Sequence, residues 1–291
     1  MIISASYKTD IPAFYGDWFM RRLKAGFCEM VNPYGGQLYR IPLTPDQVDG
    51  FVFWTKNVGP FLPHLAEIRR MGYPFMVHYG ISAYPRVIEP RVAPADRAVA
   101  HMRQLAESYG PRVAVWRYDP ILITSLTPVE FHRRNFATLA AQLAGTTDEV
   151  VISFAQIYRK TERNLSAAAR LHGFTWEDPA DAVKCELTGE LVAIARSHGM
   201  ELSVCSQAAY CVSGAAPARC VDARRLSDVA GRKITARRQG NRPDCGCDQS
   251  RDIGAYDTCP HGCVYCYAVQ SPAAAKRSLQ SHNPESLRLG D

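Results

Sequence analysis

Three cysteines stand close together in the last part of the 291-residue chain, at Cys259, Cys263 and Cys266. Their C-x3-C-x2-C spacing allows three thiolates to wrap one soft-metal centre. Three thiolates do not complete a tetrahedral zinc site, and they leave one iron of a [4Fe–4S] cluster without a cysteine ligand. The spacing therefore predicts an open cluster, in which one iron remains available to a substrate or a cofactor.

Four further cysteines precede this loop. Cys245 and Cys247 form a C-x-C pair, Cys205 lies at the end of a predicted strand, and Cys220 lies in the segment between them. Together they predict a second cluster with a thiolate on every iron. There are two alternatives. The four thiols could bind a structural zinc ion that ties the segment to the rest of the protein, or they could bind no metal.

Composition supports a metal-binding role for these thiols. The chain holds ten cysteines and 47% hydrophobic residues, begins with MIISAS, and has no apolar run long enough for a signal or a membrane span. We therefore expect a cytoplasmic protein, in which cysteines stay reduced and are better explained as ligands than as disulfides. Cys28 and Cys185 fall on predicted helices and are expected to be small core residues, while Cys211 is left out of both sites.

Positive charge is concentrated between the two thiol groups. The formal net charge is +6, and residues 217–251 contain nine basic and four acidic residues. Such a segment is usually a solvated surface, and otherwise it attracts phosphates, nucleic acid or an acidic redox partner. It contains no aromatic residue on which bases would stack, which disfavours nucleic acid but leaves that partner open.

The first two thirds of the chain must position these groups. Short apolar runs alternate there with amphipathic stretches, which is typical of βαβ units around a parallel sheet. The predicted strands are 1–5, 50–55, 74–79, 112–117, 149–155 and 201–205. Helices are predicted near 12–25, 60–71, 94–108, 128–143 and 183–198. Such a pattern fits an open doubly wound sheet as well as a curved, partial (βα) barrel.

Polar side chains follow the predicted strands, where α/β proteins bind their ligands. Lys56 and Arg117 are the most informative, because each ends a strand that is otherwise apolar. A cation at such a place needs a carboxylate or an anionic ligand. Asp119, two residues beyond Arg117, is the obvious ion-pair partner in the purely structural interpretation.

The loop CPHGCVYCYA at 259–268 resembles the cluster loop of the radical S-adenosylmethionine (SAM) superfamily, especially that of the spore photoproduct lyase branch. The resemblance extends to a family of unknown function over nearly the full length, and that family is described as carrying a radical-SAM-like cysteine cluster at its C-terminus. It rests on the stretches SASYKTDIP, FWTKN, VWRYDP and ISF and on the segment 245–268. In the superfamily this loop normally follows the first strand, whereas here it follows all six.

The resemblance implies a [4Fe–4S] cluster on Cys259, Cys263 and Cys266, with SAM on the fourth iron. Tyr265 would lie against the adenine, and Gly262 would let the backbone turn tightly around the cluster.

The same resemblance implies a fold and a set of ligand-binding residues. Residues 1–207 would form a partial (βα)6 TIM-like barrel, and residues 208–291 a cysteine-rich extension packed on the barrel mouth. The residues expected to hold SAM or an anionic substrate are Lys56, Arg117, Asp119, Lys160, Ser6, Asp10 and Asn57.

These features predict a radical SAM-type enzyme that generates a 5′-deoxyadenosyl radical and acts on a small, anionic substrate. Its electron donor would be a protein such as flavodoxin or ferredoxin. The alternatives are an iron–sulfur electron-transfer or sensor protein, a zinc-stapled binding protein, and a radical lyase that acts on nucleic acid.

Overall fold

The computed structural model describes residues 1–33 and 35–290 of the chain. The strands are β1 (Ile2–Ala5), β2 (Phe27–Val31), β3 (Leu38–Pro42), β4 (Gly50–Thr55), β5 (Phe75–Gly80), β6 (Ala114–Ile121), β7 (Ile123–Thr124), β8 (Glu149–Phe154), β9 (Trp176–Glu177), β10 (Glu201–Val204), β11 (Ala215–Pro217) and β12 (Ser250–Asp252). The α-helices are α1 (Ile11–Phe14), α2 (Gly16–Ala25), α3 (Leu62–Arg70), α4 (Ala95–Tyr109), α5 (Val129–Leu143), α6 (Arg159–His172), α7 (Asp181–Ser197), α8 (Ala223–Ala230) and α9 (Pro272–Ser281).

Eight of the strands form one parallel sheet, in the order β11-β10-β8-β6-β5-β4-β1-β12. The six predicted strands are its six central members, and their bounds differ from the predicted ones by four residues at most. From β1 to β11 the order follows the chain without reversal. A doubly wound sheet reverses its order at a switch point, so the topology favours a singly wound arrangement.

The two outer strands were not predicted, because three residues are too few for a periodic pattern. β11 pairs with β10, and β12 pairs with β1 in a register that runs from Ile2 opposite Ser250 to Ser4 opposite Asp252. Both strands come from residues 208–291. The cysteine-rich part of the chain therefore supplies both outer strands of the sheet.

Different segments of the chain pack on the two faces of the sheet. Along β4, Phe51 and Phe53 pack with Phe19 of α2 in a large core that also includes residues of α1, α3, α4, α5 and α7. Val52 points to the opposite face, where it packs with Leu226 of α8 and with residues of the connector between β11 and β12. This alternation is the ordinary consequence of the pleat. The crossover helices thus cover one face and the connector fills the other.

A third apolar cluster holds the three-cysteine loop. Cys263, Val264 and Tyr265 pack against Ile88 and against Leu165 of α6. The Val264 amide also donates a hydrogen bond to the Ile88 carbonyl at 3.1 Å. The loop is therefore part of the folded core at the carboxyl edge of the sheet. Across the two described ranges of the chain, no helix combines the length and the apolar character needed to cross a membrane.

Candidate functional site

A large cavity of about 1040 Å³ opens at the carboxyl ends of the parallel strands. Residues that end or directly follow β1, β4, β5, β6, β8 and β10 line it. Seven cysteines also line it: Cys205, Cys220, Cys245, Cys247, Cys259, Cys263 and Cys266. The fold thus brings both predicted thiol groups to one space, while Cys28, Cys185 and Cys211 are not part of its wall.

The three-cysteine loop presents its thiols to this cavity, with Cys263 buried and the other two half-buried. Burial raises the pKa of Cys259 to about 12, with further contributions from Asp10 and Cys266. Burial also raises the pKa of Cys263, and the negative charge of Glu89 adds to the effect. These thiols are therefore protonated at neutral pH until a metal displaces their protons. The backbone of Gly262 has a φ of 77°, the left-handed conformation that glycine adopts without strain, as its place in the loop predicted.

Asp10 holds the loop to the first strand. One carboxylate oxygen accepts a hydrogen bond from the backbone N–H of Lys56 at 2.7 Å and contacts Nε2 of His261 at the same distance. On the other side of the loop, the Arg91 amide donates to the His261 carbonyl at 3.2 Å, and its guanidinium donates to the Pro260 carbonyl. Asp10 and His261 are both buried. Asp10, a predicted cofactor-binding residue, therefore positions the cysteine loop.

Lys56 meets a carboxylate that sequence reasoning missed. Its Nζ lies 2.8 Å from Oε1 of Glu89, which also accepts hydrogen bonds from Ser82 and from the hydroxyl of Tyr265. Burial alone would raise the pKa of Glu89, but the Lys56 ammonium and these donors lower it overall. Burial by itself would lower the pKa of Lys56. The negative charges of Glu89 and Cys263 outweigh this effect, so the pKa of Lys56 is raised.

Tyr265, the residue predicted to lie against an adenine, is fixed by this pair. Its ring lines the cavity and lies 5.8 Å from Nζ of Lys56, while its hydroxyl is buried against Glu89. Glu89 lies between β5 and α4, in a segment without helical or strand periodicity. No pattern in the sequence pointed to it.

The other four thiols also lie together. The sulfurs of Cys205 and Cys220 are 3.6 Å apart, and the thiols of Cys220, Cys245 and Cys247 are close enough to shift one another's pKa. The interaction with Cys247 lowers the pKa of Cys245 to about 5, so this thiol ionises readily. The backbone N–H of Val221 donates to the Cys247 sulfur at 3.4 Å. The four sulfurs thus form a continuous series of contacts.

Two guanidinium groups reach these sulfurs. Arg117 forms the expected ion pair with Asp119, and its remaining nitrogen donates to the sulfur of Cys220 at 3.0 Å. Arg242 lies with its Nη2 at 3.7 Å from the sulfur of Cys205. Asp119 also accepts a hydrogen bond from Ser153 at 3.3 Å. Arg117 and Asp119, both predicted as catalytic, therefore lie at the four-thiol group.

His78 also lines the cavity, next to the four-thiol group. Its ring stacks on Trp54 at 4.5 Å, and its Nε2 lies 2.6 Å from the carbonyl oxygen of Cys220. Within the described residues its buried Nδ1 has no partner. Burial and the charge of Arg117 lower the pKa of His78 well below its ordinary value. The neutral ring donates through Nε2, so Nδ1 is an acceptor in the cavity wall.

Of the remaining predicted residues, some line the cavity and others form hydrogen bonds that hold the fold together. Lys160, in the first turn of α6, lines the cavity, and its charge favours the thiolate of Cys266, although burial raises the pKa of that thiol. Ser6 also lines the cavity, but its hydroxyl donates to Asp252 at 2.9 Å and so ties β1 to β12. Asn57 is outside the lining, and its side chain accepts from the Gly59 amide.

Most basic side chains of the connector have partners inside the protein. Arg225 is buried and bonds to Asp148 and Glu149, each at 2.8 Å. The other basic residues of 217–251 with such contacts are Arg219, Arg232, Arg237, Arg238 and Arg242. Arg225, Arg232 and Arg242 therefore tie this segment to the rest of the protein, while the other three arginines bond to residues within the segment.

The thiols are not arranged around one point. Throughout residues 1–33 and 35–290, no three or more His, Cys, Asp or Glu side chains form a group that could hold a single metal ion. Ligands of one zinc ion share a centre about 2.3 Å from each sulfur, whereas the cysteines of an iron–sulfur cluster bind different irons. The described side chains therefore hold no preformed single-ion site.

Comparison with known proteins identifies a family. The profile of a family described as a domain of unknown function matches residues 2–268, which is nearly the whole chain. No curated protein matches it.

Proposed function

The chain belongs to that family, DUF1848, and we propose that it is a radical SAM-type iron–sulfur enzyme acting on a small, anionic substrate. One observation carries the proposal: Cys259, Cys263 and Cys266 line a large cavity at the carboxyl ends of the strands. That is the side on which barrel and open α/β enzymes bind their substrates.

The topology accounts for the unusual position of the loop in the chain. β12 lies next to β1 and runs parallel to it, so the loop that follows β12 emerges beside the loop that follows β1. The superfamily loop normally follows the first strand. Asp10, which comes after β1, contacts His261 of the cysteine loop, so the two segments share one place in space. The late loop thus takes the position that an early loop holds elsewhere.

The architecture supports the same proposal. Crossover helices on one face and an unreversed strand order are what a curved (βα) sheet requires. We propose a partial TIM-like barrel in which α8 and the connector fill the concave face and the thiols face the mouth.

The donor set fits an open [4Fe–4S] cluster, because three thiols of the loop line the cavity and the loop has no fourth cysteine. When bound and reduced, such a cluster supplies one electron to SAM, which yields methionine and a 5′-deoxyadenosyl radical. A flavodoxin or ferredoxin is the proposed source of that electron.

The protein's own residues bind and orient the reactants. Lys160 is the best candidate to bind a carboxylate near the cluster, because its charge acts on Cys266 and it lines the cavity. The charge of Lys56 is neutralised by Glu89, so we assign Lys56 to positioning Tyr265 rather than to substrate binding. The Tyr265 ring, which lines the cavity, offers a flat surface for an adenine.

The test is anaerobic reconstitution followed by assays of iron, sulfide and zinc. With dithionite and SAM, we expect the wild-type protein to release 5′-deoxyadenosine and the Cys263→Ala variant to release none. Cys185→Ala is the matched control, because Cys185 lies on α7 outside the cavity and should leave SAM cleavage unchanged. Zinc without iron, or SAM cleavage that survives Cys263→Ala, would refute the radical mechanism.

A second assay tests the substrate class. Replacing Lys160 by Met should weaken SAM or substrate binding, with the KM rising more than kcat falls. If the KM values of the variant and the wild type become equal at high salt, the role of Lys160 is electrostatic, because screening removes the attraction that the lysine provides. The nucleic-acid alternative predicts a salt-dependent gel shift, and the internal partners of the connector arginines argue against it.

A further inference from the structure

We infer that Cys205, Cys220, Cys245 and Cys247 bind a second iron–sulfur cluster, fully ligated by thiolates, that joins the two edges of the sheet and faces the same cavity. This inference goes beyond the proposed reaction and does not depend on it. It concerns residues that the open cluster does not use.

The first argument is where the four thiols come from. Cys205 follows β10 and Cys220 follows β11, so both belong to one edge of the sheet. Cys245 and Cys247 precede β12, which is the strand at the opposite edge. Four thiols from the two ends of an eight-stranded sheet meet at one place, and a shared metal centre there would cross-link the fold.

Neighbouring contacts hold the two edges together at that place. The Asp248 amide donates to the Val221 carbonyl at 2.9 Å, and the Asp248 carboxylate accepts from the Ala223 amide at 2.8 Å. Arg219 forms an ion pair with the same carboxylate at 3.1 Å. These bonds fix Cys220 and Cys247 relative to one another, so the thiol group is built into the scaffold.

The second argument is charge. Arg117 and Arg242 each aim a guanidinium nitrogen at a sulfur of this group. A neutral thiol is a weak acceptor, whereas a thiolate forms a charge-assisted hydrogen bond with a guanidinium. Arg117 is about nine-tenths buried, although Asp119 already neutralises it. A metal centre carrying four thiolates gives both arginines an anionic partner.

The third argument concerns the kind of centre. All ten cysteines are free, so no disulfide accounts for the contacts. The sulfurs of Cys205 and Cys220 are 3.6 Å apart, close to the separation of about 3.8 Å that two thiolates have on one metal atom. Within the described ranges, however, no such side chains surround a single-ion position. A [2Fe–2S] cluster fits both observations, because each of its two irons binds a pair of cysteines.

The experiment separates the two clusters by substitution. The full chain is reconstituted anaerobically as wild type, as the triple variant Cys259→Ala/Cys263→Ala/Cys266→Ala, and as the double variant Cys220→Ala/Cys247→Ala. We expect about six irons and six sulfides in the wild type and about two of each in the triple variant. The double variant should retain about four of each, from the open cluster. Cys211→Ala is the control and should keep the wild-type count.

The outcomes distinguish this inference from the proposed function. A triple variant without iron, or with one zinc, overturns the second cluster. A wild-type protein with four irons that still cleaves SAM also overturns it, and it leaves the proposed function intact. Six irons without SAM cleavage support the second cluster and refute the function. If the triple variant does not fold, the wild-type iron count and the double variant decide.

Two readouts test the roles of the arginines and of the cross-link. In the triple variant, Arg117→Met should move the midpoint potential of the remaining cluster to a more negative value, because a nearby cation that favours the reduced state is lost. Reconstitution should raise the unfolding temperature of the triple variant, because the cluster binds only the folded state. An unchanged potential refutes the role of Arg117, and an unchanged unfolding temperature refutes the cross-link.

Discussion

The buried pair between Lys56 and Glu89 gives a prediction whose size follows from its surroundings. The side chain of Glu89 is 2% exposed and that of Lys56 is 16% exposed, with their charged atoms 2.8 Å apart. Replacing Glu89 by Gln keeps the shape and the acceptor for Tyr265 but leaves the Lys56 ammonium without a counter-charge. Breaking one partner of a buried pair costs about 3–5 kcal/mol, and the partial exposure of Lys56 favours the lower end.

We therefore expect Glu89→Gln to lower the free energy of unfolding by about 3 kcal/mol. The unfolding temperature should fall by roughly 6–12 °C, at about 2–4 °C per kcal/mol for a chain of this size class. The double variant Lys56→Met/Glu89→Gln removes both charges and should recover most of the loss. The measurement is urea unfolding of the wild type, both single variants and the double variant, followed by circular dichroism.

The pH dependence supplies an internal check. Because the folded pKa of Glu89 lies below its unfolded value, its contribution is present above the unfolded pKa, near 4.3. That contribution is lost as the pH falls through the lower folded pKa. The wild type and Glu89→Gln should therefore converge in stability below about pH 4. A Glu89→Gln variant within about 0.5 kcal/mol of the wild type at pH 7 would falsify the assignment of this pair.

Three further substitutions test the loop and the sheet edge. Asp10→Asn removes the charge that faces His261 but keeps an acceptor for the N-cap of α1. Because the cysteine loop is then held less firmly, a chelator should remove iron from the reconstituted protein several times faster. An unchanged rate of iron loss would contradict the positioning role. Gly254→Ala places a methyl group onto the Ser6 hydroxyl and should destabilise the protein by about 2 kcal/mol in thermal melts, unless that hydroxyl moves freely. Gly189→Ala, in α7 with open space around it, is the matched control and should stabilise by up to about 1 kcal/mol; a loss there would undermine the steric reasoning.

Local pattern accounts for the part of the fold that the sequence predicted. The six central strands are runs of apolar and β-branched residues, and their order along the chain sets the order in the sheet. The Arg117–Asp119 pair was also predictable, because residues two apart on a strand point to the same face. The close grouping of the cysteines was visible from their spacing alone.

What the sequence could not predict depends on contacts between distant segments. Glu89 lies in a loop without periodicity, yet it joins Lys56 to Tyr265, which are more than 200 residues apart. The sequence predicts Ser6 to be a ligand-binding residue at the end of a strand. In the structure its hydroxyl bonds to Asp252, which is 246 positions away along the chain. Sequence spacing carries no information about such pairs, so the residues that position the loop were found only in the fold.

The pairing of β1 with β12 also sets the order in which the protein is assembled during synthesis. β1 leaves the ribosome first, but the strand that covers its free edge follows roughly 250 residues later, a wait of about 12–50 s at 5–20 residues per second. Throughout that time the N-terminal strand has one edge exposed to other nascent chains. The cysteine loop emerges after β12, so under the proposed function iron delivered to this loop would arrive at a sheet that is already complete. Maturation factors would therefore meet a folded acceptor, and iron shortage would leave a finished scaffold without its metal rather than an unfolded chain.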